Sequence, residues 1–179
     1  DEFFEIRVAG VKEQIKLGIS DAGPDGMTPK EVLAFVTKEA RALFAEQYDL
    51  LNDVLLPQLA ETGIRFLRRD TWTEGQKAWV HGYFAREVLP VLTPIGLDPA
   101  HPFPRVFNKS LNFVVELEGR DAFGRVSRIA IVQAPRMLPR VIRLPAGIAK
   151  EEYAFVFLTS VLHAHVDELF AGMTVKGCY

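Results

Sequence analysis

The stretch LTPIGLDPAHPFPRVFNKSLNF, Leu92 to Phe113, is where the pattern of the chain changes. It sets Pro94, Pro99, Pro102 and Pro104 within eleven residues and then alternates like a strand. Proline fixes φ, removes an amide donor and pushes the residue before it toward an extended conformation. No helix can cross such a segment, so an extended, turning connection is expected. Helical signals dominate before it and strand signals follow. The fold expected is therefore α+β: an N-terminal antiparallel helical part, then a small antiparallel sheet packed with helices.

On the N-terminal side, Phe4, Val8, Val11 and Ile15 are spaced by four, three and four, the stripe of an amphipathic helix, with Gly18 as its stop. Residues 20–27 (SDAGPDGM) read as a loop; Asp21 and Asp25 miss the calcium-loop spacing and lack its bidentate Glu. Thr28-Pro29-Lys30-Glu31 is a helix start, with Thr28 as cap and Glu31 completing a capping box. From it Leu33, Val36, Ala40, Leu43, Gln47, Leu51, Leu55 and Leu59 form one long stripe that ends near Gly63, ~45 Å at the helical rise. Packing against the first helix is expected; coiled-coil pairing is the rival, weakened by Gln47 on the seam. Ile64 to Leu67 suits an edge strand. Two overlapping capping boxes, Thr71 with Glu74 and Thr73 with Gln76, precede a helix marked by Trp79, Val80, Tyr83, Phe84 and Val88.

On the C-terminal side, Leu111, Phe113, Val115 and Leu117 alternate with polar positions, the period of a half-buried strand. Gly119 to Gly124 reads as a hairpin connection to a second strand, Val126 to Gln133. Pro135, Pro139 and Pro145 bracket a third, Val141 to Leu144. Phe155, Leu158, Leu162, Val166 and Leu169 mark a last helix, closed by Gly172 and a turn. The domains expected are a helical part over residues 1–62, itself incomplete, and an α+β part over 63–179. Both ends read as cuts in a longer protein.

Composition narrows the classes. With 179 residues, 49% hydrophobic and 25% charged, the chain can bury a core without metal or disulfide help. A net charge of −2 speaks against a nucleic-acid binder or a membrane-coating surface, though local patches remain open. The single cysteine, Cys178, allows no internal bridge and fits a reducing, cytoplasmic setting. No apolar run approaches a transmembrane span, and peripheral membrane association is left open.

Chemistry is sparse. No phosphate-binding glycine loop, nucleophile elbow or zinc-helix motif is present. His163 and His165 are two positions apart, about 200° around a helix, so they cannot share one metal. His81 is expected to be exposed, and His101 to bond backbone among the prolines. No metal site is expected. Arg7, Lys12, Arg105, Lys109, Arg128, Arg136, Arg140 and Arg143 are available to anions. Asn108-Lys109-Ser110 could hold a phosphate on side chains and amides, or simply satisfy backbone around the prolines. Arg136, Arg140 and Arg143 flank one short strand. From these residues alone no reaction follows.

Four ordered stretches carry a family likeness: DEFFEIRVAGVKEQI at the start, LPVLTPIGLDPAHPFPRVFNKSLNFVV, VQAPRMLPRVIRLP, and a helix ending DELFAG. Together they resemble polyphosphate kinase of the histidine-dependent type, over nearly the whole chain. The resemblance implies a parent enzyme that moves the terminal phosphate of ATP onto inorganic polyphosphate, reversibly and through a phosphohistidine. It implies ATP, ADP and polyphosphate as partners, magnesium bound outside these residues, and a homo-oligomer formed through the head domain. The phosphate-accepting histidine and most ATP contacts would lie in later domains, so none of the four histidines here is catalytic. Arg7, Asn108 and Lys109 are the candidates for a polyphosphate or nucleotide-side channel wall, in a piece that is otherwise scaffold and inactive alone. The alternative is a self-standing oligomerisation module without phosphotransfer.

Overall fold

The computed structural model describes residues 2–98, 102–107, 109–121, 124 and 127–179. They form two compact units, one up to Gln58 and one over Leu59–Tyr179.

The first unit is helical. A wide-wound opening, Phe3–Val8, runs without a break into α1 (Ala9–Lys16), and Gly18 follows at φ 76, the left-handed stop its position suggested. α2 (Pro29–Asp49) begins with the expected capping box. Glu31 N–H donates to Thr28 Oγ1 at 3.4 Å, and Thr28 N–H donates to the Glu31 carboxylate at 2.8 Å. α2 continues through a wide-wound stretch, Leu50–Leu55, into α3 (Leu56–Glu61). The helix expected over this whole span is thus continuous but not uniform. Pro57 has no N–H to give the preceding turn and its ring crowds the carbonyl four residues back, so the turns before it open. Pro90 has the same effect in the second unit, where Phe84–Val88 is wide-wound and Leu89–Val91 closes as a 3₁₀ turn. The stripe on α2 is only partly covered. Leu33, Val36 and Ala40 are half-buried, whereas Leu43, Gln47 and Leu55 are exposed.

The second unit is α+β, but its strands form two sheets rather than one. β1 (Ile64–Phe66), β5 (Val141–Arg143) and β6 (Tyr153–Phe157) make a mixed sheet in the order β1-β6-β5. β1 lies parallel to β6, with Ile64 opposite Tyr153, and β5 lies antiparallel to it. β2 (Thr93–Gly96), β3 (Leu111–Gly119), β4 (Ile129–Ala134) and β7 (Met173–Cys178) make an antiparallel sheet in the order β2-β4-β3-β7. β3 and β4 pair as the alternation foretold, with Phe113 opposite Val132 and with Phe113, Val115 and Leu117 inward. Pro94 is tolerated in β2 because that strand is at the sheet edge. Val126, expected to open the second strand, lies outside the described residues.

Two segments differ from expectation. Residues 153–157 are strand β6, not the start of the last helix. Phe155, Leu158 and Leu162 mimic a helical stripe, but Tyr-Ala-Phe-Val-Phe suits a pleated surface and is paired on both sides by β1 and β5. Residues 173–178 form an edge strand on β3 instead of a closing turn.

α4 (Glu74–Tyr83) starts at Thr73 with Gln76, so the later of the two overlapping boxes caps it. α5 (Leu158–His165) leads into a 3₁₀ turn, Val166–Leu169. Val80, Phe84 and Val88 from the α4 side, Val115, Ala130 and Val132 from one sheet, Val156 from the other, and Leu158, Val161 and Leu162 from α5 close a continuous core. Among the described residues no helix is long and apolar enough to cross a membrane.

Candidate functional site

The proline-rich stretch delivers its one basic residue of unusual backbone geometry at the foot of β3. Lys109 sits at φ 55, the left-handed region that side-chain-bearing residues rarely adopt. The turn around it is closed by Ser110, whose amide donates to the Phe107 carbonyl at 3.3 Å and whose hydroxyl donates to the same oxygen. Asn112 Nδ2 in turn donates to Ser110 Oγ at 2.8 Å. Ser110 therefore serves the backbone, the plainer of the two roles open to it. Asn108 lies outside the described residues, as does His101.

Lys109 shares a cleft of about 320 Å³ with Ser110, Leu111, Arg140, Phe157, Leu158 and Thr159. Phe157 is the N-cap of α5 and has no side-chain acceptor to give its first turn; Leu158 N–H donates instead to the Arg140 carbonyl at 3.0 Å. Amides of a first helical turn lack intrahelical partners, and the helix dipole adds partial positive charge there. Two cations, a threonine hydroxyl and an uncapped helix start thus border one open cleft. Groups of these kinds can receive an oxyanion. Lys109 and Arg140 are 31 positions apart in sequence; the pairing of β5 with β6 sets Arg140 beside the start of α5, and Lys109 reaches the same cleft from the foot of β3.

The other arginines are used differently. Arg143 places its guanidinium 4.7 Å from the Tyr153 ring centre and reaches the Glu152 carbonyl, so it belongs to the sheet surface. Arg128 lines a separate groove on the outer face of the antiparallel sheet with Glu116, Glu118 and Lys176. There Lys176 and Glu118 pair closely; the hydrogen bond and charge hold the carboxyl below its ordinary range and the ammonium above its own. Arg7 belongs to the helical unit, where it borders a small apolar cavity with Phe3, Val8, Val11, Val32, Leu33 and Val36. A second basic groove in that unit escaped the sequence-based expectations. Lys30, Lys38 and Arg41 line it with Ile15, Ala34 and Thr37. Positions 30, 34, 37, 38 and 41 share one helical face, a signal present in the sequence but hidden by attention to the apolar stripe.

The histidines separate as their spacing requires. His163 turns its ring against the edge of Phe113 at 5.2 Å, and burial, helped by the Arg69 charge, lowers its pKa. His165 faces the other way. Its Nδ1 lies 2.9 Å from Glu168 Oε1, which His81 Nε2 approaches at 3.4 Å. Cys178 is half-buried, and burial pushes its thiol up.

Comparison with known proteins bears on the family of the chain. Residues 1–67 match the model of the polyphosphate kinase N-terminal domain and residues 75–179 that of the polyphosphate kinase middle domain. The chain is 59% identical over its whole length to a polyphosphate kinase of Neisseria meningitidis serogroup C and 55% identical to one of Pseudomonas aeruginosa. It spans about a quarter of their length, 26% in each case. The fold matches the crystal structure of polyphosphate kinase from Porphyromonas gingivalis over 99% of this chain and 25% of that one, with a TM-score of 0.77 at 24% identity. On the two domain matches and these identities, the chain belongs to the polyphosphate kinase family.

Proposed function

We propose that this chain is the N-terminal and head portion of an enzyme that reversibly transfers the terminal phosphate of ATP to inorganic polyphosphate through a phosphohistidine. In this reading residues 1–62 end a helical N-terminal domain and residues 63–179 form most of a head domain. The nucleophile and the magnesium site belong to other parts of the enzyme. A histidine nucleophile divides the transfer into two displacements, and fixed cations offset the charge of the moving phosphoryl group. The contribution of this chain is to hold and guide the polymer and to carry the homo-oligomer contacts of the head.

The observation that carries the reading is the cleft at the start of α5, where Lys109 and Arg140 line one opening beside a helix start that has no side-chain cap. Polyphosphate bears about one negative charge per phosphate, and cations spaced along an open cleft suit a sliding anionic chain better than a closed pocket would. Arg7, in the helical unit, and Asn108, which lies outside the described residues, remain separate proposed contacts for polyphosphate or nucleotide. Magnesium takes hard oxygen ligands in octahedral geometry. The His81–His165–Glu168 cluster offers two imidazole nitrogens and does not fit that ion.

The test uses the full-length enzyme and this chain side by side with γ-labelled ATP and magnesium. Acid-labile, base-stable label on the full-length protein and none on residues 1–179 is the expected result. Label on this chain would make one of its own histidines the nucleophile, and label on neither would favour an oligomerisation module. In the full-length enzyme, Lys109→Ala should weaken polyphosphate binding by roughly 1 kcal/mol, about five-fold, with a larger effect at low salt. Unchanged polyphosphate affinity in a folded variant would remove Lys109 from the wall.

A further inference from the structure

Three side chains that the phosphotransfer reading leaves unused converge against the second unit's core. His81 comes from α4, His165 from the last turn of α5, and Glu168 from the 3₁₀ turn that follows. One ligand atom from each lies within 4.8 Å of the other two. Glu168 Oε1 is at the centre, 2.9 Å from His165 Nδ1 and 3.4 Å from His81 Nε2. A tetrahedral ion with bonds of ~2.0 to 2.1 Å has ligand-to-ligand edges of about 3.3 Å. The His81–Glu168 edge already has that length, and the His165–Glu168 edge, at 2.9 Å, is a few tenths of an ångström short of it. The third closes by rotation of the His81 side chain, which is 56% exposed.

The surroundings favour a cation. The cluster rests on the fully buried ring of Phe84, whose centre is 5.1 Å from that of His165. His165 is 17% exposed and Glu168 33%, so the floor is dry while the side at His81 is open to water. An apolar floor strengthens attraction between the carboxylate and an ion, and an open side leaves a coordination position for solvent. Two imidazole nitrogens and one carboxylate oxygen are a borderline donor set that selects zinc and its first-row neighbours over magnesium or calcium. In the absence of metal His165 Nδ1 shares a hydrogen bond with Glu168 Oε1, and His81 Nε2 stands beside the same oxygen. Metal takes the place of the proton in that hydrogen bond.

We propose that His81, His165 and Glu168 form a binding site for Zn²⁺ or a similar first-row divalent ion, with water completing the coordination. The ion ties α4 to the end of α5. Both elements contribute to the core, Val80 from α4 and Leu158, Val161 and Leu162 from α5, so the ion braces their packing and the site is structural or regulatory, apart from phosphotransfer.

The test is Zn²⁺ titration of the 179-residue chain by calorimetry, in a Cys178→Ser background so that the thiol cannot supply a competing ligand. One equivalent is expected to bind and to raise the thermal midpoint. His81→Ala and Glu168→Gln should each weaken binding at least about ten-fold, since even outer groups around a metal cost that much, and His163→Ala should leave it unchanged. His81 is exposed, so its variant folds normally and keeps the measurement decisive. Co²⁺ in place of Zn²⁺ should give a visible spectrum that vanishes in the same two variants. Zn²⁺ affinity indifferent to both substitutions, or no binding at ~100 µM, overturns the site.

Discussion

At the scale of single residues, Lys109 shows what sequence can and cannot supply. Its place after four prolines and before a strand was legible, and so was its charge. Its left-handed backbone was not, because only the closure of the turn by Ser110 onto Phe107 dictates it. A non-glycine residue there costs roughly 1 kcal/mol, and such strain persists where the position of the side chain matters. Comparing two truncations isolates the strain from whatever the lysine side chain contacts. Lys109→Gly should be more stable than Lys109→Ala by about 1 kcal/mol in denaturant melts. Both should lose polyphosphate affinity equally. Equal stability of the two would mean the turn relaxes without cost and the strain argument fails. Arg140, which lines the same cleft, reads in sequence as one of eight cations open to anions and one of three arginines flanking a short strand. Nothing in the local sequence separates it from Arg143, which stacks on Tyr153 instead. That distinction is made by strand pairing, a long-range fact.

At the scale of elements, local signals succeeded where the physics is local. Thr28, Thr73 and Gly18 begin or end helices as their chemistry predicts, because capping involves atoms only three residues apart. They failed at β6, where a helical spacing of apolar residues concealed aromatic and branched residues that two neighbouring strands claim. The wide turns before Pro57 and Pro90 lie between these cases: the prolines announce a disturbance, but not its form. The cap of α2 gives a sharp prediction. Hydrogen bonds from the Thr28 hydroxyl and amide hold the Glu31 carboxyl below its ordinary pKa. A lowered folded-state pKa stabilises above the unfolded value and is lost as pH falls through the folded one. By carbon-detected NMR, Glu31 should titrate below a free glutamate, and Thr28→Ala should move it back toward the ordinary value. The same substitution should cost the helix about 1 kcal/mol. An unmoved Glu31 midpoint in Thr28→Ala would show that the box does not persist in solution.

At the scale of the whole molecule, the two units differ in how they are held. The continuous core lies within the second unit and includes Phe84, Val115, Val132 and Val156, all without solvent exposure. In the helical unit the buried side chains are Val8 and Pro29, and residues 41–50 of the long helix are all exposed. Alternation and heptad-like spacing revealed both sets of apolar residues equally well, since periodicity reports which face is apolar and not what covers it. Free energy of opening follows buried apolar contact, so the two units should exchange amide protons on different scales. In this 179-residue chain, amides of α2 should exchange through local opening, with protection at least about a hundred-fold below those of β3 and β4. Denaturant should expose α2 first, giving a helical signal that decays before the near-ultraviolet signal of Trp72 and Trp79. Uniform protection in both units would instead mean that the exposed stripe of α2 is covered in solution. Addition of Zn²⁺ separates the units further: if His81, His165 and Glu168 bind it, protection rises at α4 and α5 and stays unchanged along α2.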